Sequence, residues 1–492
     1  MKIKSGNRTM AFGAMLLMVM SSCDRYLDVS PDMRTDVDSP EKVGELLATA
    51  YPQANYIPFT ETFSDNAGDK GSGLAPLTNS DPYHFLDIGD IYQDSPAYYW
   101  NASYAAIAAA NHALEAIAAA GDNKAYLPYK GEAMVARAYA HFMLVNLFAQ
   151  PYQAFSAASL PGIPYVTTVE KVVIGKYERH TVAYVYEQIE KDLSEGLPLI
   201  EDRIYTSPKY HFTKAAAHAF ASRFYLFKRE YDKALHHANA VFGNKRLTDR
   251  LRQVNSPAYR SQQYRELEAQ YTRADNPANL LLVEVPTIWG RNYASYRYGF
   301  TTDILNEMFD KTNVTGGYWG YNIYGSELYY NIPKFREHFV RQSLNAETGI
   351  PYNIIPLFST EEVLFNRAEA NAMLGNYEQA LTDLNDYAST RIIYSSGTPV
   401  YIPEIHEITR NKLLSFYNTY NVQQALINCI LDFKRVNFLF EGQRWFDIIR
   451  HNIGVKHKTS EGRILVLGPN DPMRLFQIPQ EAQGSGIELN PR

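Results

Sequence analysis

Hydrophobic residues three and four positions apart predict two consecutive amphipathic helices in residues 359–391. Ser359, followed by acidic residues, is a suitable N-terminal cap for the first helix. Gly375 and Asn376 predict its end, because both residue types tolerate the left-handed backbone that closes many helices. The second helix begins at Tyr377. A hairpin of two antiparallel helices with this spacing is typical of a tetratricopeptide-like repeat.

The same pattern occurs in residues 218–242. Aligning Tyr231 with Tyr377 places Ala234 over Ala380, and both alanines are small enough to let two helices approach closely. Such hairpins cannot bury their apolar faces alone, so they stack into an array with one continuous core. The pattern therefore predicts helical repeats. Ordinary helix packing is the alternative, because two copies are fewer than the roughly three repeats that such arrays usually need.

Helical periodicity covers most of the remaining chain and predicts a mostly α fold. Ser39 as a cap, with Pro40 at the first helical position, is a strong start signal. Residues 475–492 are polar and rich in Pro and Gly, and we expect an extended C-terminal strap there. Further helices are predicted at residues 39–50, 103–121, 131–152, 181–198 and 431–450.

The periodicity fades in residues 245–358, which we interpret as a loop-rich insert on the helical scaffold. One run, residues 280–285, has the composition of a β-strand. Aromatic residues alternate with glycines elsewhere in the insert, which favours rings displayed from loops, because a packed core would disfavour so much backbone freedom. About half of six rings are expected to face a shallow ligand surface. These rings are Trp289, Tyr293, Tyr296, Trp319, Tyr321 and Tyr324.

A long early loop, residues 62–96, is rich in Gly, Asp, Asn and Pro, and loops of this length are often functional. Its start resembles a calcium loop, but Lys70 stands where glycine is required, so we expect no metal site. Trp100 and Asn101 together suit a sugar, although Trp100 is better explained as a core residue. The residues expected to donate or accept hydrogen bonds at the same surface are Asn66, Asp81, Tyr83 and Asn101.

Composition limits the partners of this chain. Its 492 residues carry a net charge of −6 and no long basic run, so we expect no nucleic-acid partner. The chain has 38 Tyr but only 4 Trp. Tyrosine rings carry a polar tip and serve a core and a contact surface equally well.

The N-terminus has the pattern of a removed leader. A basic start precedes an apolar run, residues 10–20, that is too short to span a bilayer. Small residues lead to Cys23, as in bacterial lipoproteins, so we expect lipid on the Cys23 thiol. A plain secretory signal with a coincidental cysteine is the alternative. Cys429, the other cysteine, lies in apolar sequence and is expected in the core.

Sequence motifs do not indicate catalysis. His406 and Glu407 begin a zinc-helix pattern, but Arg410 stands in place of the second histidine, and arginine cannot ligate zinc. No nucleophile elbow, phosphate loop or dinucleotide fingerprint occurs. A glycosidase needs only two carboxylates, and 53 acidic residues leave such a pair open. We expect a protein that is not an enzyme and uses no cofactor.

Three stretches resemble the SusD/RagB family of Bacteroidetes lipoproteins. They are the leader ending at Cys23, residues 440–450, which are similar to the family's F-E-G-x-R-x-x-D segment, and the tail with residues 477–481 and 490–491. The helix beginning near Trp100 also matches an early family pattern. The resemblance implies four tetratricopeptide-like pairs, a lipid anchor at the outer membrane and no catalysis. It also implies a SusC-like TonB-dependent barrel, over which the lipoprotein closes as a lid.

Four charged residues spaced three apart in the F-E-G segment are expected to pair along one helix. They suit a carboxylated ligand. An ion-pair network that fixes the helix to the scaffold is the favoured interpretation, because a motif shared by binders of different nutrients cannot specify one of them. Asn437 and Phe438 stand where the family often has an Arg-Glu pair. The four residues are Glu441, Arg444, Asp447 and Arg450.

The expected function is capture of oligosaccharide at the cell surface and its delivery to the barrel. Two alternatives remain: the same role for oligopeptides, and a helical scaffold that binds a partner protein through its rings. The predicted organisation is a leader in residues 1–22, a tether in 23–38, a first helical part in 39–244, the insert in 245–358 and a second helical part with its strap in 359–492.

Overall fold

The computed structural model describes residues 37–121, 123–172, 175–243 and 247–492. The predicted leader, Cys23 and most of the tether therefore lie outside the described residues. The mostly α prediction is confirmed. The α-helices are α1 (Pro40–Leu47), α2 (Ile57–Phe63), α3 (Leu77–Tyr83), α4 (Pro96–Ala119), α5 (Leu127–Phe148), α6 (Val182–Gly196), α7 (Lys214–Lys228), α8 (Tyr231–Phe242), α9 (Pro257–Arg260), α10 (Tyr264–Tyr271), α11 (Trp289–Asn292), α12 (Thr302–Leu305), α13 (Thr360–Met373), α14 (Tyr377–Ser389), α15 (Pro403–His406), α16 (Arg410–Phe416), α17 (Val422–Asn437) and α18 (Gln443–Arg450).

Short strands lie beside this helical scaffold. The main sheet has three antiparallel strands in the order β2-β6-β5, and the other strands form pairs. The predicted run at residues 280–285 lies inside β2, whose residues are nearly all buried. The strands are β1 (Gly68–Asp69), β2 (Asn279–Pro286), β3 (Tyr298–Gly299), β4 (Tyr318–Trp319), β5 (Glu337–Arg341), β6 (Gly349–Ser359), β7 (Ile392–Ile393), β8 (Val455–Lys458) and β9 (Ile464–Leu467).

Both predicted helical hairpins are present, as α7 with α8 and as α13 with α14. Helix α13 packs against α7, α8 and α17, so the two hairpins share one core. Ala234 and Ala380 are fully buried where the paired helices meet. Gly375 has a φ of 82° just beyond the C-terminal end of α13, as its position in the sequence predicts.

The predicted single helix at residues 431–450 is wrong, because the chain turns sharply between α17 and α18. Phe440 and Gly442 have positive φ values of 72° and 70°. The buried carboxylate of Glu61 accepts hydrogen bonds from the backbone nitrogens of Phe440 (2.7 Å) and Gly442 (2.8 Å). A side chain at residue 442 would begin 2.2 Å from Thr60 Oγ1. Glycine is therefore required in the F-E-G segment for both its backbone freedom and its size.

Asp94 joins the start of α4 to the end of β2. Its carboxylate accepts hydrogen bonds from Thr287 Oγ1 (2.5 Å) and Ile288 N (3.0 Å). Burial raises the pKa of Asp94 from an ordinary 3.8 to about 7. The folded chain thus keeps a proton that the unfolded chain has released. The resulting stabilisation is complete below about pH 4 and is lost as the pH rises towards 7.

We expect the wild-type protein to lose about 2–3 kcal/mol more stability than Asp94→Asn between pH 5 and pH 8. Asparagine does not titrate, and it tolerates the left-handed backbone found at this position. Chemical denaturation of both proteins at the two pH values measures the difference. Burial also raises the pKa of Glu61 to about 7. Glu61 is present in both proteins, so its contribution to the loss of stability is the same in both. Equal losses in the two proteins would contradict the assignment to Asp94.

Candidate functional site

The structure buries the first three of the predicted ligand-facing rings. Trp289, Tyr293 and Tyr296 each expose 3% of their surface or less. The indole nitrogen of Trp289 donates to the Phe440 carbonyl (3.1 Å), and the Tyr293 hydroxyl donates to the Ile332 carbonyl (3.1 Å). These rings hold the insert against the F-E-G turn, and their faces are covered by protein.

The other three rings lie closer to the surface but in different places. Trp319 is 7% exposed, packs against Phe433, and lines a pocket of about 230 Å³. Tyr321 and Tyr324 are half-buried. The Tyr321 hydroxyl donates to Asn437 Oδ1 and the Tyr324 hydroxyl to the Gln262 carbonyl, each at 3.3 Å. Tyr324 thereby touches the loop at Gln262, which lines a separate and larger cleft.

The residues predicted from the early loop and α4 do not converge on one surface. Asn66 and Tyr83 are buried, and Asn66 donates to Glu61 Oε1 (3.1 Å). Asp81 accepts from the backbone nitrogen of Gly89 (3.1 Å), which closes the loop on itself. Asn101 is exposed and donates to Glu481 Oε1 (3.3 Å), in a pocket of about 340 Å³ beside the largely buried Trp100.

A concave site lies in the first part of the insert, and we call it the insert cleft. Its volume is about 600 Å³, against about 380 Å³ for a groove beside residues 86–91. It combines two tyrosine rings, four amides and several charged side chains. Its lining residues are Asp249, Leu251, Arg252, Gln253, Ser256, Ala258, Tyr259, Gln262, Leu267, Gln270, Tyr271, Arg273, Asp275, Asn276, Pro277 and Pro333.

Two short helices with strong start signals shape one side of the cleft. Ser256 Oγ accepts from the backbone nitrogen of Tyr259 (3.2 Å), and Pro257 opens α9. Gln263 and Glu266 form a reciprocal capping box at the start of α10. The chain therefore bends between the two helices, and Gln262 in this bend lines the cleft.

Buried charges form the floor beneath the cleft. Glu361 lies between Arg252 and Arg391, with a 2.8 Å contact to each guanidinium. Burial opposes ionisation of Glu361, but the two guanidinium groups outweigh it and lower the pKa of that carboxyl. The Arg252 guanidinium also lies 4.2 Å from the centre of the Tyr271 ring. Helix α13 of the scaffold thus fixes the cleft wall through its first turn.

A second link ties the cleft to the F-E-G turn. The Tyr271 hydroxyl donates to Glu441, which also pairs with Lys334 at 2.6 Å. Burial, with the nearby Glu441 carboxylate, raises the pKa of Tyr271 well above its ordinary value. Tyr271 therefore stays neutral and presents part of its ring to the cleft.

The cleft offers groups that suit a neutral, polyhydroxylated ligand. Amides supply both donors and acceptors, and tyrosine faces stack on apolar C–H surface. Among the described residues, Gln262 Oε1 and Arg252 Nε are buried polar atoms without a hydrogen-bond partner. The described part of the chain holds no group of three or more His, Cys, Asp or Glu arranged to bind a metal ion.

The sequence contains one local signal for this cleft, which is weaker than the alternation of aromatic residues and glycines later in the insert. Residues 259–276 carry three tyrosines and three glutamines, a local surplus of amides and polar rings. Their helices are short and their apolar periodicity is weak. Only the folded chain brings this segment to Pro333 and over Glu361.

The four charged residues of the F-E-G segment are used inside the protein. Glu441 pairs with Lys334 at 2.6 Å, and Asp447 pairs with Lys434. Only Asp447 and Arg450 contact each other along α18, at 3.5 Å. All four are at least nine-tenths buried. The two remaining pairs are Arg444 with Asp65 (2.8 Å) and Arg450 with Glu369 (2.5 Å). The network joins distant parts of the chain, as the favoured interpretation requires.

Within the described ranges, every helix is too short or too polar to cross a membrane. Comparison with known proteins identifies two family matches. Residues 25–226 match a family described as starch-binding and associating with the outer membrane, and residues 287–471 match the SusD family.

The relatives span nearly the whole chain. The SusD-like protein P38 of Formosa agariphila is 24% identical over 89% of this chain and 90% of its own length. The crystal structure of a SusD superfamily protein from Bacteroides thetaiotaomicron is similar with a TM-score of 0.66 and 21% identity, covering 92% of this chain and all of that one. A laminarin-binding SusD-like protein has a TM-score of 0.55 and 17% identity, over 92% and 99% of the two chains. This chain belongs to the SusD/RagB family.

Proposed function

We propose that this protein captures oligosaccharide in the insert cleft at the cell surface and delivers it to a SusC-like TonB-dependent barrel. The observation that carries the proposal is the lining of the cleft. Four amides and two tyrosine rings surround about 600 Å³ of space, and the charged floor beneath them is already paired. A site of this composition favours hydroxyl groups and C–H faces over a strongly charged ligand.

The comparisons support the ligand class. One matching family is described as starch-binding, and one structural relative is named for binding laminarin. We propose that this chain also binds a sugar and does not cleave it. Lipid on Cys23 would hold the protein at the outer membrane, where a barrel partner would receive the ligand.

Native mass spectrometry with pooled neutral oligosaccharides and pooled short peptides tests the ligand class. We expect sugar adducts that disappear when Gln262 and Gln270 are both replaced by alanine. Peptide adducts alone would move the function to peptide uptake. No adduct from either pool, combined with capture of a partner protein through the insert rings, would favour the scaffold alternative.

We expect Tyr259→Ala to weaken oligosaccharide binding about fivefold to tenfold, because a ring contact contributes about 1 kcal/mol. Tyr259 is half-buried and its ring lines the cleft. Titration calorimetry with the sugar found above gives the affinity, and circular dichroism confirms the fold. Tyr420→Ala is the matched control, since that ring is fully exposed and lies outside the cleft lining. Equal affinities for the two variants would place the ligand elsewhere.

A further inference from the structure

The outer strand of the main sheet, β5, has one edge without a partner strand. Sheet order is β2-β6-β5, and no other strand among the described residues pairs with the far side of β5. Four of its five residues are exposed, including Phe339 at 39% and Val340 at 48%. Natural sheet edges are usually protected by charged side chains, especially lysine, or by proline, a bulge or a covering segment. The sequence of β5 is Glu-His-Phe-Val-Arg, which contains neither lysine nor proline and carries charges of opposite sign at its two ends.

Hydrogen bonding between β5 and β6 shows which backbone groups of β5 point away from β6. Arg341 faces Gly349 in the β5–β6 register, so the next residues, Gln342 and Thr348, also face each other. Gln342 N donates to Thr348 O (3.1 Å), which makes them a hydrogen-bonded pair. Such pairs alternate along antiparallel strands. The N–H and C=O groups of residues 337, 339 and 341 therefore point away from β6, towards the open edge.

These three residues are self-complementary when a second β5 runs antiparallel beside the first. With Phe339 opposite Phe339 of the second copy, Glu337 lies opposite Arg341 of that copy, and the reverse pair follows by symmetry. Each of the three residue pairs exchanges two backbone hydrogen bonds. Sliding the strands by two residues would place Phe339 opposite Arg341 and would leave Glu337 opposite Ser343. Only the centred register joins opposite charges and stacks ring on ring.

We infer that the free edge of β5 pairs with the same edge of a second copy of this chain, about a two-fold axis at Phe339. Pairing would join two three-stranded sheets into one sheet of six strands, with an isologous contact. Glu337 is already oriented by Arg291, which binds both of its carboxylate oxygens (2.6 and 2.8 Å). Arg341 of the second copy adds a second cation to the same carboxylate. The contact does not involve the insert cleft, so it is independent of the proposed ligand.

Cysteine crosslinking of the full chain in detergent tests the register directly. Phe339→Cys places two thiols opposite each other on the proposed axis. Leu344→Cys is the matched control, because Leu344 is more exposed (95%) yet would lie at least roughly 20 Å from its copy. Wild type, which contains Cys23 and the buried Cys429, gives the background yield of dimer. Under mild oxidation we expect at least tenfold more disulfide dimer from Phe339→Cys than from Leu344→Cys. Equal yields would overturn the inference.

A second variant measures association without a crosslink. Phe339→Pro removes an outward N–H and the ring on the proposed axis. It leaves the hydrogen bonds to β6 in place, because proline is accepted where the N–H of an edge strand faces solvent. Sedimentation of the full chain over a range of concentrations should show a dimer for wild type and a monomer for Phe339→Pro. Wild-type protein that stays monomeric throughout, or a Phe339→Pro variant that dimerises equally, would refute the pairing.

Discussion

Replacing Glu361 by alanine is expected to lower the free energy of unfolding by about 3–5 kcal/mol. Glu361 is fully buried at the start of α13 and is the shared counterion of Arg252 and Arg391. Its removal leaves two desolvated guanidinium groups facing each other across a new cavity. Their mutual repulsion adds to the cost of burying each charge alone. The backbone nitrogen of Arg252 also loses its acceptor (2.9 Å).

Urea denaturation of wild type and Glu361→Ala measures this loss. Glu361→Gln should fall between them, because its carbonyl oxygen still accepts one hydrogen bond while the charge is gone. Asp275→Ala is the matched control for removal of an arginine partner, since Asp275 and Arg273 form an exposed pair at the cleft rim. The control should change stability very little. A Glu361→Ala loss as small as that of the control would show that the triad contributes no net stability.

Gly442→Ala is expected to cost about 3 kcal/mol or more, from two separate causes. Alanine is strained at a φ of 70°, and its β-carbon would lie 2.2 Å from Thr60 Oγ1 and 3.1 Å from the α-carbon of Ile57. Relief would require α2 to move. Such movement would disturb the Glu61 carboxylate that accepts from the Phe440 and Gly442 nitrogens.

Gly375→Ala separates the two causes. Gly375 has a similar φ of 82°, but nothing lies within 4 Å of the position that a β-carbon would occupy. Its substitution should therefore show only the backbone strain, about 1–2 kcal/mol. The difference between the two losses in thermal or urea unfolding is the steric part. Thr60→Ala should restore some stability to Gly442→Ala. Equal losses at the two glycines would rule out a contact with Thr60.

Local patterns predicted the helical hairpins because their start, end and apolar stripe are all contained in about thirty residues. The break at residues 438–442 was missed for the opposite reason. Its neighbours are helical, and what fixes the turn is Glu61 and Thr60, nearly four hundred positions earlier in the chain. The single glycine at position 442 was the only nearby sign, and it is also compatible with a continuous helix.

The candidate site also combines features that local sequence predicts with features that depend on distant residues. Ring-rich composition pointed to the insert as a candidate region, but composition cannot say which ring faces a ligand. Trp289 and Tyr293 are covered because Phe440 and Ile332, both remote in sequence, supply their partners. The residues that line the insert cleft carry weaker individual signals, and the cleft exists only where residues 249–277 fold over the first turn of α13.

All but one of the residues that line the insert cleft come from a single stretch of 29 positions, residues 249–277, and the exception is Pro333. The proposed binding surface and the helical scaffold are therefore encoded by different stretches of the chain. Exchange of this stretch for that of a relative, with Arg252 kept for Glu361, would replace the binding surface while α7, α8 and α13 keep their packing. Under the proposed function, a change of ligand preference needs only local substitutions, and the helical scaffold can be inherited unaltered.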